Sequence, residues 1–219
     1  LYWKQGRYAE AVEEMKWVAR LLPEDEGVKF RLSSTMILAG QFEEAKALLL
    51  PLVENDEADL ASINSNLATI LFFEGDFAGA AELYLDAIEK EPEDPVYYRN
   101  LGDALWNGVS PEQAEPTFVE AIHLARRQLA INPDDSYALS SLMVSAASIG
   151  DVDAYLRAKK KMVEEWASDP QTQYDFAIAA SRLGEMEAAQ DHARQAYELG
   201  YPVAFLRADP DITASGANF

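Results

Sequence analysis

Two histidines, His123 and His192, and no cysteine are available for metal binding or nucleophilic chemistry in 219 residues. Neither histidine has a second ligand at metal-binding spacing, so each reads as a surface or packed helix residue. The His-Glu-x-x-His zinc pattern, the Gly-x-Ser-x-Gly elbow and a Gly-rich phosphate loop are all absent from the sequence. Two acidic turns, Glu24-Asp25-Glu26-Gly27 and Asp134-Asp135, lack the alternating ligands and closing Glu of a calcium loop. They read as solvated turns. Carboxylate pairs arise by chance in a chain with 38 acids, and none has a nucleophile beside it. The residues therefore predict no enzyme, no cofactor and no metal in this stretch. What they can do is recognise: amides, aromatics and a few charges.

Charge narrows the partners. Lys plus Arg is 18 and Asp plus Glu is 38, so the formal charge is 18 − 38 = −20. Such a surface repels phosphate, which argues against nucleic acid and anionic membranes. Apolar residues make up 49 %, enough for a core and too many for a disordered acidic tail. No apolar run approaches the ~18 residues that span a bilayer, and no leader pattern is visible. The chain opens Leu1-Tyr2-Trp3 without methionine, so sequence upstream is expected.

The elements that must position any site repeat themselves. Gly6, Gly40, Gly75, Gly150 and Gly184 lie 34, 35, 75 and 34 residues apart, with Gly108-Val109 as the boundary inside the long interval. After these glycines come an aromatic (Tyr8, Phe42, Phe77) and an alanine (Ala11, Ala45, Ala80, Ala189) at fixed offsets. Apolar residues follow at helical spacing. Before them lie the anchors Leu32, Leu67, Leu101, Leu142 and Phe176. Each unit is predicted to be two amphipathic helices joined by a short turn, burying their apolar faces by stacking on the next unit. One second helix starts at Ser110-Pro111, an N-cap followed by proline, and runs two turns longer than its counterparts to Asn132-Pro133. In the following unit Tyr155 takes the small position and Lys159 the large apolar one. Arg157, Lys159, Lys160 and Lys161 there read as a solvated face or as a docking patch for an acidic segment.

Tyr98-x2-Leu101-Gly102-x2-Leu105 followed by Ala114-x3-Phe118-x2-Ala121 resembles the tetratricopeptide repeat family, whose signature recurs every 34 residues. The resemblance covers about residues 1–201. It implies an all-α, right-handed α-solenoid: a partial unit over 1–25, units over 26–59, 60–94, 95–135 (enlarged), 136–169 and 170–201, and a C-terminal cap or tail over 202–219. Phe205, Leu206 and Ile212 are expected to cover the last apolar face.

In such arrays the first helix of each unit lines a concave groove. The resemblance places Phe30, Ile37, Asn66, Thr69, Phe72, Phe73, Arg99, Asn100, Asp103, Trp106, Tyr137 and Tyr174 there as a peptide-binding set. Asn66 and Asn100 hold equivalent places in successive units, where related arrays bond the backbone of an extended peptide. An amide suits that task because it both donates and accepts. Arg99 is available to a carboxylate. The basic clamp of chaperone-binding members is missing, with Arg31, Ser141 and Asp175 at the matching sites. For Phe72, Phe73 and Trp106 the alternative is packing between units. The implied function is a non-enzymatic scaffold for a protein or peptide. The alternative is a self-association module, a homodimer that brings attached catalytic domains together.

The stretch Gly200-Tyr201-Pro202 through Asp209-Pro210-Asp211-Ile212, with the long helix ending Gln128 to Pro133, is similar to the repeat segment of bacterial multidomain signalling proteins. These include receptor-type Ser/Thr kinases, adenylate cyclases and membrane-anchored winged-helix regulators. That likeness covers roughly residues 64–212, and Ser215-Gly216-Ala217-Asn218 departs from it. It implies a sensory or regulatory region, and favours the extracytoplasmic side of a membrane-anchored protein over the cytoplasm.

Overall fold

The glycine-marked period is the period of a helix pair. A computed structural model of the chain describes residues 7–53, 60–108 and 111–219. After α1 (Tyr8–Leu21) come five pairs: α2 (Glu26–Leu38) with α3 (Phe42–Val53), α4 (Leu60–Glu74) with α5 (Phe77–Lys90), α6 (Pro95–Gly108) with α7 (Pro111–Ile131), α8 (Ser136–Ser148) with α9 (Val152–Trp166), and α10 (Pro170–Arg182) with α11 (Met186–Glu198). Two short helices, α12 (Val203–Ala208) and α13 (Pro210–Ala214), end the chain. No strand occurs among the described residues. The segment 1–6 and the residues Val109 and Ser110, on which a partial first helix, a boundary and an N-cap were expected, lie outside them.

Gly-Asp pairs make two of the turns. Gly75 sits at φ +85°, a left-handed conformation that a Cβ would oppose. The following Asp76 N–H donates back to the Leu71 carbonyl at 2.9 Å, closing α4. The Asp76 carboxylate then accepts from the Gly79 N–H at 3.0 Å and opens α5. Gly150 and Asp151 repeat the device between α8 and α9. The acidic turns have the same explanation: Asp25 caps α2 and Asp135 caps α8. Gly108 differs from the expectation of a turn. It is the last residue of α6, and a Cβ there would stand 2.5 Å from the Phe77 Cβ. Space, not backbone conformation, requires glycine at that point.

Neighbouring helices pack in sequence, and the first helices also touch one another in the order α2, α4, α6, α8, α10. The small positions allow this closeness: Ala45, Ala80, Ala114 and Ala189 are fully buried. The longer α7 spans 21 residues and carries Phe118, whose ring lies against Gly102 of α6. Pro116 sits inside α7 without ending it. Tyr155 is buried despite occupying an alanine position, and its hydroxyl accepts from Lys159 Nζ at 2.9 Å. Lys159 also lies 5.3 Å from the Phe176 ring centre, so its stem fills the apolar position and its charge meets an aromatic face. The basic residues therefore differ in their surroundings. Lys159 turns inward, Lys160 lies 3.9 Å from Glu164, and Lys161 pairs with Asp134 at 2.9 Å.

The tail reaches beyond the last unit. Leu206 and Ile212 are fully buried, and α13 packs on α10. Phe205, however, points across to the second and third units, where its ring meets Phe42 at 5.3 Å and Phe73 at 4.6 Å, both edge-on. Helix α12 thus touches α4 as well as α11.

Candidate functional site

The row of first helices and the returning tail enclose a cavity of about 790 Å³. Ten of the residues singled out from the sequence line it: Ile37, Asn66, Thr69, Phe72, Phe73, Arg99, Asn100, Asp103, Tyr137 and Tyr174. Phe30 and Trp106 are not on its wall. Phe30 packs at the edge of the core. Trp106 lies 6.3 Å from the Phe118 ring and 5.4 Å from the Arg182 guanidinium.

The lining differs in how freely each group faces the cavity. Tyr137, at the start of α8, is 68 % exposed. Asn66 Nδ2 donates to Ser34 Oγ at 2.9 Å, tying α4 to α2. Thr69 Oγ1 donates to the Ser65 carbonyl and lies 3.0 Å from the Tyr84 hydroxyl. Phe72 is buried edge-on to Phe73 and Phe77, so it serves packing as well as lining. Phe73 is half-buried and stacks on Phe42.

A buried ionic cluster forms the floor. Arg99 Nε lies 2.8 Å from Asp103 Oδ2, and its terminal nitrogen lies 3.9 Å from Asp175. The carboxylates that Arg99 meets are therefore the chain's own. Arg182 spans three elements: it lies 2.6 Å from Asp103 on α6, 2.8 Å from Asp211 on α13 and 2.6 Å from Ser148 on α8. Asp175 accepts from Ser140 Oγ at 2.6 Å and from Gln171 Nε2 at 3.1 Å, and burial pushes its pKa up.

The tail completes the floor. Tyr174 OH donates to Asp209 at 2.5 Å, and the Tyr174 ring stacks on Tyr201 at 4.5 Å. Asp209 also accepts from the N–H groups of Asp211 and Ile212, capping α13. Burial, and then the neighbouring Asp211 carboxylate, push Asp209 up to about 7. Burial, followed by Asp209, holds the Tyr174 phenol well above its ordinary range. Sequence reasoning placed Asp175 at a clamp position without giving it a role, and missed Asp209 and Asp211 as parts of this site. The Asp209-Pro210-Asp211 motif was visible, but nothing in a local pattern aims it at Tyr174 and Arg182 of α10.

His192 is packed: Nδ1 lies 2.8 Å from Gln173 Oε1, and burial, then Lys159, push it down to about 4. No group of three or more metal-ligating side chains comes together among the described residues. No helix among them is long and apolar enough to cross a membrane.

Sequence models described as tetratricopeptide repeat match residues 2–68 and 65–136, together more than half of the chain. Among solved structures, the thermophilic repeat protein TTC0263 of Thermus thermophilus superposes with a TM-score of 0.59 at 16 % identity, over 86 % of this chain and 100 % of that one. A chain of the APC/C hetero-tetramer Cut9-Hcn1 superposes at 0.58 and 13 % identity, over 98 % of this chain and 40 % of that one. A repeat protein from Parabacteroides merdae ATCC 43184 superposes at 0.51 and 16 % identity, over 100 % of this chain and 90 % of that one. No curated protein sequence matches.

Proposed function

Because the chain belongs to the tetratricopeptide repeat family, whose concave faces are binding surfaces for proteins, we propose that it is a non-catalytic scaffold holding a peptide or protein segment along its inner wall. The observation that carries this reading is the cavity of about 790 Å³ that runs along successive first helices and presents Asn66, Asn100 and the exposed Tyr137. Asn66 and Asn100 stand one repeat apart and can each offer an amide to a passing backbone. Aromatic rings supply apolar burial beside them. The experiment is selection of binders from a random peptide library, followed by mapping of amide shifts in the labelled protein. Shifts centred on Asn66, Asn100 and Tyr137, and loss of affinity in Asn100→Ala, support the reading. Shifts confined to the outer helices overturn it.

A signalling role, as the sensory or regulatory part of a larger bacterial protein, is supported by the sequence of the tail and the long α7. Self-association has one observation in its favour: Trp17, Leu21 and Leu22 stand exposed at α1. Sedimentation at several concentrations tests it. A dimer that dissociates in Trp17→Asp supports self-association through that face, and a monomer throughout removes it.

A further inference from the structure

Five aspartates and two arginines line the cavity, so its charge is unbalanced. Even leaving aside Asp209, whose carboxyl burial pushes up, four carboxylates face two guanidiniums. The imbalance is uneven. Asp103 lies close to both arginines, at 2.8 and 2.6 Å. Asp175 has Arg99 at 3.9 Å and otherwise only the neutral donors Ser140 and Gln171. Its side chain is 1 % exposed, yet it borders the cavity. A buried carboxylate without a close cation is costly. Nine aromatic residues share the cavity lining, Tyr137 and Trp166 among them, and ring faces attract cations.

We propose that the cavity takes a basic segment of a partner, with a lysine or arginine side chain entering toward Asp175 and its head group meeting the rings of Tyr137 and Trp166. This rests on the inner-wall reading above and specifies its ligand. The overall charge of −20 acts in the same direction at longer range, drawing basic segments in and repelling acidic ones.

The test uses short fluorescein-labelled peptides of one apolar frame carrying arginine, glutamine or glutamate at two positions. Anisotropy is expected to show the arginine peptide binding about tenfold tighter than the glutamine peptide, and weakening as salt rises. Asp175→Asn should abolish that preference, whereas Glu44→Gln, which removes the same charge from the exposed side of α3, should leave it intact. If Asp175→Asn fails to fold, Tyr137→Ala at an exposed position serves instead. It should weaken the arginine peptide severalfold and spare the glutamine peptide. Equal or tighter binding of the glutamine or glutamate peptide overturns the basic-ligand inference and leaves the inner-wall reading standing. So does an arginine preference that Asp175→Asn and Glu44→Gln weaken alike. Failure of every peptide here overturns the inference, and the library selection then decides the inner-wall reading separately.

Discussion

Arg182 is where single side chains matter most. Its buried guanidinium serves Asp103 from one unit and Asp211 from the tail. Removing it leaves buried Asp211 without its cation and takes one of two cations from Asp103. Arg182→Met is expected to cost about 3–5 kcal/mol, read as a lower urea midpoint. Arg182→Lys should restore only part of this, because an ammonium cannot fork between two acceptors. Asp209 makes stability depend on pH. In the unfolded chain an aspartate titrates near about 3.9, whereas here it is pushed up to about 7 by burial and by Asp211, against Arg182 and the Tyr174 donor. The folded state therefore holds an extra proton between those values. The stabilisation is whole below the unfolded value and is lost as pH rises through the folded one. His192, pushed down to about 4, acts with the opposite sign over much of that range, so the Asp209 contribution is read by difference: the urea midpoint of Asp209→Asn, which keeps a helix cap, should gain on that of the native protein between about pH 4 and about pH 7. Arg99, Asp103 and Asn100 were legible as inner-wall residues because repeat register fixes which helix face they share. Asp209 and Asp211, which meet Tyr174 and Arg182 on α10, were not, since the repeat period does not extend into the tail.

Among elements, the α6–α7 pair shows what the small residues are for. A Cβ on Gly102 would lie 2.4 Å from the Phe118 ring. Gly102→Ala should destabilise the protein by about 1–3 kcal/mol through overpacking, measured by thermal melting. A compensating Phe118→Leu should recover part of it. Helix pairs were legible in the sequence because apolar spacing and Gly-Asp turns both announce them. The length of α7 was legible too, through an unbroken apolar face. Gly108 was misleading, because a glycine kept for space looks the same in sequence as one kept for a turn. Leu142 was a weaker anchor than its register suggested: it is half-buried, while Leu139 and Met143 beside it are buried.

For the molecule as a whole, the tail decides the shape of the cavity. Phe205, Asp209 and Asp211 hold it against α3, α4 and α10 together. A chain ending at Gly200 should stay helical by circular dichroism but expose Phe73 and Tyr174. It should bind an apolar dye that the longer chain excludes. Rows of stacked hairpins usually melt piecemeal, since each repeat leans only on its neighbours. In this protein Phe205 of the tail clasps the second and third units, so fraying at one end is felt near the other. Amide exchange from α3 through α11 should therefore proceed as one slow, shared event, and break into a graded series once the clasp is cut.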